Sequence, residues 1–303
     1  MKNKIQHMYY KENTLSYLNG KWIKASEAKT DLYSQTMHYG CGVFEGIRSY
    51  DTADGVRIFK AEEHYQRLIY SAKKTHLNFD YTTEQLVKLT YDLLEKNELK
   101  DAYIRPLVYV NARMDLTPSA NSNLFLCAWE WENLFNNKVL DIMTSSFRRP
   151  DPKSCVVDAK VTGHYTNSIL ATTEAKSNGF DEALLLDANN NVAEGPGANF
   201  FYQKDNVLYT CPLGNILPGI TRATVFEIAK ELGFKVVEKY FTIADVKGAD
   251  GAFFTGTAAE ITGIKSLDRV DFKLDWEDTL GYDLSRMYQR KVAHNEYQEF
   301  ALV

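Results

Sequence analysis

Short strand-like runs and helix-like segments alternate irregularly along this chain, and that order limits the folds open to it. In the stretch 14–25, "TLSYLNGKWIKA", Asn19-Gly20 separates two short runs, which is a strong signal for a β-hairpin. A second pair of runs is joined at Asp54-Gly55. Because no regular strand–helix–strand repeat follows, the sequence predicts an α+β or irregular α/β fold rather than a doubly wound parallel sheet.

Two helices are predicted after these runs. Residues 61–74 place four apolar side chains on one face at helical spacing: Tyr65, Leu68, Ile69 and Ala72. A second helix is predicted over 82–97, where Thr82 begins a capping-box pattern. Two apolar runs beyond the helices are typical of buried strands: 102–110 and 124–131.

The chain is long for one hydrophobic core, and its 303 residues favour two domains. The stretch "ENLFNNK" at 132–138 is the predicted crossing between them. We therefore expect a small N-terminal domain at 1–132, a linker at 133–138 and a large domain at 139–303. The large domain combines predicted strands with predicted helices, the strands at 139–149, 182–187, 192–203, 207–210, 235–241 and 251–257, the helices at 163–179, 217–233 and near 276–297.

Composition argues against several classes of function. The net charge of −5 and the pI near 5.8, without a basic block, argue against a nucleic-acid partner. The histidines do not cluster, so no metal site is predicted. The first residues, "MKNKIQHMYY", have no long apolar run and indicate neither a secretory signal nor a membrane anchor. Four widely spaced cysteines without a CxxC motif favour reduced thiols and a cytoplasmic location: Cys41, Cys127, Cys155 and Cys211.

The turn before the predicted helix at 217–233 is a candidate anion site. Pro218 and Gly219 precede the helix, whose first backbone N–H groups have no helical partner and lie at the positive end of the helix dipole. Such a helix start can bind a phosphate. Two more glycine-containing turns, at Gly163 and at 256–259, add open N–H groups. Taken singly, each turn is more often an ordinary connection than a ligand site, whereas two such turns together suit a ligand with a phosphate and a carboxylate.

Lys160 is the candidate nucleophile. It follows an apolar segment and precedes a predicted helix, with Tyr165 five residues further on. If the amine is held away from water, desolvation lowers its pKa and frees it to attack a carbonyl group. The alternative is a solvated surface lysine, and spacing alone does not separate the two.

Seven stretches, in the same order along the chain, resemble the motifs of the branched-chain amino acid aminotransferases: "HYGCGVFEGIRSY" (38–50), "EEHYQRLIYSAK" (62–73), "YIRPLVYV" (103–110), "AKVTGHYTNSIL" (159–170), "AEGPGANFF" (193–201), "LPGITR" (217–222) and "FFTGTAAEITGI" (253–264). That family consists of class IV, fold-type IV enzymes that use pyridoxal 5′-phosphate (PLP). The resemblance implies a smaller N-terminal α/β domain and a larger C-terminal domain with the cofactor between them.

The resemblance also implies roles for residues around the cofactor. Lys160 is expected to bond to PLP and then to move the proton between the substrate and the cofactor. Glu194 is expected to pair with the pyridine nitrogen, although a surface acid at a strand edge is the alternative. Arg67 is expected to bind the phosphate, the alternative being an exposed helix arginine paired with Glu63. The full expected cofactor set is Arg67, Lys160, Tyr165, Glu194, Leu217, Gly219, Ile220, Thr221 and Thr257.

The expected substrate-binding set is Tyr39, Phe44, Tyr103, Arg105, Thr257, Ala258 and Ala259. The resemblance assigns the α-carboxylate to Tyr103 and the backbone at 257–259, and the distal carboxylate of glutamate or 2-oxoglutarate to Arg105. Phe44 would form the apolar wall, with Tyr39 partly from a neighbouring subunit. For both rings, plain core packing is the alternative.

The implied function is reversible transfer of an amino group between leucine, isoleucine or valine and 2-oxoglutarate by a ping-pong mechanism. The partners are small amino and 2-oxo acids, and a homodimer or higher homo-oligomer is expected. Departures from the family pattern, such as "AKVTGHY" at 159–165 and "EGPGAN" at 194–199, bear on substrate preference. Two alternatives stay open: another fold-type IV enzyme, acting on D-amino acids, amines or aminodeoxychorismate, and a non-catalytic ligand-binding protein.

Overall fold

The computed structural model describes residues 9–117, 121–131, 134–135 and 138–293. Seven strands in the N-terminal part of the described chain form one sheet: β1 (Leu15–Leu18), β2 (Lys21–Lys24), β3 (Gly42–Phe44), β4 (Ile47–Thr52), β5 (Gly55–Ile58), β6 (Ala102–Tyr109) and β7 (Asn123–Glu130). Their spatial order is β2-β1-β7-β6-β4-β5, with β3 on β6, and the pairings are antiparallel.

The predicted hairpin at Asn19-Gly20 is confirmed. Both residues have positive φ values, 47° and 85°, as a two-residue turn between right-twisted strands requires. The second predicted pair corresponds to β4 and β5, where Thr52 lies opposite Gly55. Local turn chemistry therefore sets the register at this end of the sheet.

Helices α1 (Gln35–Tyr39), α2 (Ala61–Lys74) and α3 (Thr83–Lys96) accompany the first sheet. The predicted helix at 61–74 is confirmed, and Tyr65, Leu68 and Ala72 of α2 are buried in the core that includes this sheet. The predicted capping box is also present, since the Thr82 side chain accepts from the Gln85 backbone and the Gln85 side chain accepts in return.

Nine strands in the second part of the described chain form a mixed sheet: β8 (Leu140–Arg148), β9 (Glu182–Leu186), β10 (Val192–Glu194), β11 (Asn199–Lys204), β12 (Val207–Thr210), β13 (Lys235–Glu238), β14 (Gly251–Gly256), β15 (Glu260–Leu267) and β16 (Val270–Asp271). Their order is β10-β9-β8-β15-β14-β11-β12-β13, with β16 on β15. β8 pairs in parallel with both β9 and β15, and β12 pairs in parallel with β13, whereas β11, β14 and β15 are antiparallel neighbours. The predicted irregular α/β class is confirmed.

Four α-helices cover the second sheet within the described residues: α4 (Tyr165–Ser177), α5 (Ile220–Glu231), α6 (Ile243–Lys247) and α7 (Leu280–Val292). The predicted helix after Gly219 is confirmed as α5. The terminal helix predicted near 276–297 is shorter, because a separate 3-10 turn occupies Trp276–Asp278 and residues 294–303 lie outside the described part. No helix among the described residues is long and apolar enough to span a membrane.

The two sheets meet through direct contacts. Phe44 N donates to Lys160 O at 3.1 Å, and Val43 forms an isolated antiparallel bridge with Val161. On another side, Arg48 Nη1 lies 2.8 Å from Glu260 Oε1. Half of the predicted linker at 133–138, residues 133, 136 and 137, lies outside the described residues, and the proposed domain limits stay a prediction.

Candidate active site

A cavity of about 180 Å3 lies where the two sheets meet. It is lined by most of the predicted site residues: Phe44, Arg67, Tyr103, Arg105, Lys160, Tyr165, Glu194, Leu217, Gly219, Ile220, Thr221, Thr257 and Ala258. Two predicted residues do not line it. Ala259 is buried in the loop beyond Ala258, and Tyr39 is 48% exposed, with its hydroxyl donating to Met114 O at 3.2 Å.

Lys160 is fixed in the cavity wall by contacts from the first part of the chain. Its backbone N–H donates to Ser71 Oγ at 3.0 Å, and its carbonyl accepts from Phe44 N. Its amine, Nζ, lies 2.6 Å from Tyr165 Oη and 5.0 Å from the centre of the Phe44 ring. The amine therefore faces aromatic groups inside a pocket, unlike a solvated surface lysine.

The start of α5 presents backbone donors to the same cavity. Gly219 is the N-cap and supplies no side-chain acceptor, and the Ala223 N–H makes the bond to Gly219 O at 3.0 Å. The N–H groups of Ile220 and Thr221 belong to the first turn, where the helix itself offers no acceptor. An added Cβ at Gly219 would lie 1.9 Å from Asn199 Oδ1, so this tight approach requires glycine.

Arg67 reaches this helix start from α2 and is held by a buried carboxylate. Its Nε and Nη2 lie 2.6 Å and 2.9 Å from the two oxygens of Glu45, while Nη1 donates to Pro218 O at 2.9 Å. His64 Nδ1 lies 2.8 Å from Glu45 Oε2. Arg67 therefore pairs with Glu45, and the alternative pairing with Glu63 is wrong.

The Glu45 carboxyl is ionised in this cluster although it is fully buried. Burial alone would raise its pKa, but the charge and hydrogen bonds of Arg67, together with the hydrogen bond of His64, outweigh burial. The pKa of Glu45 is consequently held far below its usual range. A fixed negative charge thus orients Arg67 beside the α5 start.

Glu194 lies elsewhere in the cavity lining and is also buried. Its Oε1 lies 2.8 Å from Arg149 Nε and 3.2 Å from the Leu217 N–H, and its Oε2 accepts from Asn199 Nδ2 at 2.9 Å. Burial raises the pKa of this carboxyl, and the charge of Arg149 opposes the rise. The alternative of a solvated strand-edge acid is wrong, because Glu194 is only 4% exposed.

Arg105 is surrounded by aromatic rings. Its guanidinium carbon lies 4.7 Å from the ring centre of Phe44, 5.3 Å from that of Tyr103 and 6.0 Å from that of Trp129. Nη2 approaches Tyr103 Oη at 3.4 Å, and Nε has no hydrogen-bond partner among the described residues. The ring faces stabilise this cation without fixing it to a carboxylate.

The turn between β14 and β15 closes the cavity beside Arg105. Thr257 and Ala258 line the cavity. The turn ends at Glu260, whose backbone is left-handed with a φ of 54°. The Glu260 carboxylate binds Arg48 at 2.8 Å and the Tyr50 hydroxyl at 2.9 Å, both from β4. The first sheet therefore anchors this turn of the second sheet.

Comparison with known proteins shows the family of this chain. The family model described as amino-transferase class IV matches residues 42–267 of this chain. The chain belongs to the class IV aminotransferases. Among curated relatives, the branched-chain-amino-acid aminotransferase of Pseudomonas aeruginosa is 41% identical over 258 residues, which cover 83% of this chain and 84% of the relative. The enzyme of that name from Escherichia coli K12 is 38% identical over 262 residues, covering 84% and 85%.

Solved structures of this class have the same fold. The branched-chain aminotransferase from Thermoproteus uzoniensis with norvaline matches with a TM-score of 0.90 and 36% identity, covering 93% of this chain and 96% of that chain. The branched-chain amino acid aminotransferase from Thermobaculum terrenum in its PLP form matches with a TM-score of 0.88 and 32% identity, covering 94% and 96%. The family indicated by the seven motifs is confirmed.

Three residues that contact Arg67 or Glu194 directly, or Arg67 through Glu45, were not predicted as site residues of this class IV aminotransferase: Glu45, His64 and Arg149. Glu45 lies inside a quoted motif, but nothing in the motif shows that its carboxylate turns toward Arg67. Arg149 follows the exposed Arg148, and the sequence does not indicate which of the two is buried. Their partners become visible only when strands and helices distant in sequence are packed together.

Proposed function

We propose that this class IV aminotransferase is a PLP-dependent enzyme that transfers the amino group between branched-chain L-amino acids and 2-oxoglutarate. One observation carries the proposal. The Lys160 amine lies 2.6 Å from the Tyr165 hydroxyl in a cavity that Glu194 and the open start of α5 also line. A nucleophilic amine, a carboxylate and a phosphate-type cradle are the groups that PLP chemistry needs from a protein.

The residues of the cavity fit PLP. Arg67, the backbone N–H groups of Ile220 and Thr221, and the Thr257 hydroxyl would hold the phosphate. Glu194 would pair with the ring nitrogen, and the Tyr165 hydroxyl would donate to the phenolic oxygen. The tight turn at Gly219 supports this fit, because a side chain there would displace Asn199, which donates to Glu194 Oε2 in the same cavity. A buried hydroxyl in the lining, Thr255 Oγ1, also has no partner among the described residues.

Bound PLP supplies an electron-accepting ring beside the substrate. The chain's own contribution to the proton transfer is Lys160 Nζ, which would take the proton from the substrate Cα and return it to the cofactor carbon. The hydrogen bond between this nitrogen and Tyr165 Oη, 2.6 Å, orients the amine for that movement. A ping-pong sequence follows, since one cavity serves the amino acid and the 2-oxo acid in turn.

The aromatic surroundings of Arg105 support acceptance of both an apolar and an acidic side chain. Tyr103 and the backbone at 257–259 would bind the α-carboxylate, and Phe44 would contact a branched side chain. When the substrate is leucine, the Arg105 guanidinium has no carboxylate partner, and the surrounding rings offset part of the free energy that it loses with its hydration. When it is glutamate, Arg105 gains a carboxylate partner.

We also propose that the chain acts as a homodimer in the cytoplasm. Six large apolar or aromatic side chains from α1, its preceding loop and the loop after β6 are exposed in the first part of the chain: Leu32, Tyr33, Met37, Tyr39, Met114 and Leu116. Exposed apolar clusters of this kind favour a protein interface. A second copy seated there would bring Tyr39 toward a neighbouring active site, as the family resemblance implies.

The test combines cofactor labelling with a donor profile. Purified protein should take up added PLP and become yellow, and borohydride should fix the label on the peptide that contains Lys160, whereas Lys160→Ala should carry none. L-leucine, L-isoleucine and L-valine should transfer their amino groups to 2-oxoglutarate. Activity confined to D-amino acids or amines would favour another fold-type IV enzyme, and a protein that takes up no PLP would refute the proposal.

Arg105→Ala separates the two substrate classes in the same assay. The variant should lose kcat/KM for glutamate by about 10- to 100-fold more than for leucine, because only glutamate loses a charged hydrogen-bond partner. Arg57→Ala is the matched control, because Arg57 lies on β5 outside the cavity lining with its side chain 44% exposed, and it should keep both kcat/KM values. Equal losses for glutamate and leucine would contradict the assigned role of Arg105.

A further inference from the structure

Arg149 is a buried cation in the wall of the active-site cavity that the proposed catalytic roles do not use. It follows β8 directly, and its N–H donates to Leu186 O at 2.8 Å, which fixes its backbone to β9. Its Nε lies 2.8 Å from Glu194 Oε1, and both side chains are less than a tenth exposed. The contact is an ion pair and not a hydrogen bond, because the Arg149 Nε–H makes no hydrogen bond to any described residue.

The donors around Glu194 are distributed unequally between its two oxygens. Oε1 faces Arg149 Nε and the Leu217 N–H, whereas Oε2 accepts from Asn199 Nδ2 alone among the described residues. A carboxylate has about four acceptor positions, two on each oxygen. One position on Oε2 therefore stays open for a donor from the cavity.

Other charged groups near Glu194 are engaged elsewhere. Lys160 Nζ is bonded to Tyr165 Oη, and Arg222 Nη2 donates to Cys211 O and pairs with Glu238. The Cys211 thiol donates to Pro212 O at 3.4 Å and is a neutral group, because burial raises its pKa to about 12. Arg149 is thus the cation in direct contact with the carboxylate.

We propose that Arg149 is a positioning residue that keeps the buried Glu194 carboxyl ionised and leaves Oε2 free to accept the ring N–H of a pyridine cofactor. The proposal rests on the proposed function for the identity of that donor. A carboxyl buried without a counter-charge is more stable in its neutral form. A neutral carboxyl would hold the ring nitrogen without the negative charge that favours its protonation.

The first experiment measures the carboxyl itself in the full-length protein without added PLP. Infrared difference spectra of each protein against the same protein carrying Glu194→Gln isolate the Glu194 signal. At pH 7 the wild type should show a carboxylate band, and Arg149→Met should show the carbonyl stretch of a protonated acid, which disappears as the pH rises. Arg149→Lys should restore the carboxylate, because it returns the charge.

The second experiment measures PLP affinity by absorbance titration. Arg149→Met should bind PLP about 10- to 100-fold more weakly than the wild type, with part of the loss recovered in Arg149→Lys. Arg148→Met is the matched control, because that neighbouring arginine is exposed and bonds Ser145 O, Ser146 O and Asn190 instead. It should leave both readouts unchanged.

The outcomes separate the two proposals. A carboxylate band and wild-type PLP affinity in folded Arg149→Met would overturn the role of Arg149 while leaving the proposed function intact. A wild type that binds no PLP would refute the proposed function and, with it, the role of Oε2. If Arg149→Met does not fold, Arg149→Lys decides the matter. A protonated-acid band for Glu194 in Arg149→Lys, or a PLP affinity about 10- to 100-fold below that of the wild type, would overturn the proposal.

Discussion

Two buried carboxylate–arginine pairs line or support the same cavity, and they are built in opposite ways. In Glu45–Arg67 both carboxylate oxygens receive guanidinium donors, at 2.6 Å and 2.9 Å, and His64 adds a third contact. In Glu194–Arg149 only Oε1 contacts the guanidinium, 2.8 Å from Nε, and the Nε–H is not aligned for a hydrogen bond. The Gly46 N–H is a fourth donor to Glu45, at 3.2 Å, so the first carboxylate is saturated, with as many donors as acceptor positions, and holds an arginine in place. The second carboxylate keeps an acceptor position open on Oε2.

The electrostatic consequences differ in sign. Both carboxyls are buried, but the pKa of Glu45 is lowered and the pKa of Glu194 is raised. Burial acts on both in the same direction, so the difference comes from the number and alignment of their donors. Two buried carboxylates beside one cavity can therefore serve different purposes, Glu45 as a rigid support of Arg67 and Glu194 as a responsive partner in the cavity wall.

The largest expected effect comes from breaking the saturated pair. Glu45→Gln should lower the free energy of unfolding by about 3–5 kcal/mol, because Arg67 loses its buried counter-charge. Urea unfolding followed by circular dichroism measures the change. Glu63→Gln on the same helix is the control, since its partial exposure and its pairing with Lys60 predict a change below about 1 kcal/mol. Equal effects of the two substitutions would refute the structural role assigned to Glu45.

A smaller effect is expected from removing the Asn199 side chain, the neutral donor to Glu194 Oε2. Asn199→Ala removes the hydrogen bonds from Nδ2 to Glu194 Oε2 and Leu217 O, both 2.9 Å. Because the acceptor on Glu194 is charged, the free energy of unfolding should fall by about 1.5–3 kcal/mol in the same urea assay. Asn189→Ala, at an exposed turn, should stay within about 0.5 kcal/mol of the wild type. If Asn199→Ala lowered the free energy of unfolding by no more than Asn189→Ala does, the stabilising role assigned to the Asn199 hydrogen bonds would be wrong.

The smallest effect is a difference in pH dependence, at most about 1.4 kcal/mol per pH unit for each group. The lowered pKa of Glu45 gives stability that is complete above the carboxyl's unfolded pKa and is lost as the pH falls toward the folded pKa. The raised pKa of Glu194 acts in reverse, so its contribution decreases as the pH rises from the unfolded pKa to the folded pKa.

Urea unfolding between about pH 3 and pH 7 tests these signs, because the Glu45 contribution changes below the unfolded pKa of about 4.3 and the Glu194 contribution changes above it. In Glu45→Gln the free energy of unfolding should lack the contribution that increases with pH in the wild type. In Glu194→Gln it should lack the contribution that decreases with pH. Slopes that change in the same direction in both variants would show that the two carboxyls do not differ as described.

Much of the fold followed from local patterns. Helix α2 occupies 61–74 as its apolar spacing predicted, and the Thr82 capping box and the Asn19-Gly20 turn formed as expected. These features depend on residues within four positions of each other, so the sequence displays them directly. Helix α1 was not predicted, because its five residues are too few to show a helical period.

The candidate site was predicted in part. The motif resemblance selected thirteen residues that line the cavity, together with Tyr39 and Ala259, which do not. The resemblance implied a phosphate as the partner of Arg67, and helical spacing offered Glu63 as the alternative, because such spacing suggests pairs within one helix. The actual partner lies on the connection between β3 and β4, and contacts of this kind follow from the packing of α2 on the sheet.

The sequence by itself determined the family, the helices and hairpins with strong local signals, and the identity of the lysine, carboxylate and arginine that the proposed chemistry uses. Only the tertiary structure decided how each charge is neutralised. Glu45 meets Arg67 across 22 residues, and Glu194 at the end of β10 meets Arg149 just after β8. The physical reason is that charge pairing inside a protein depends on distance and burial, which the folding of distant segments creates.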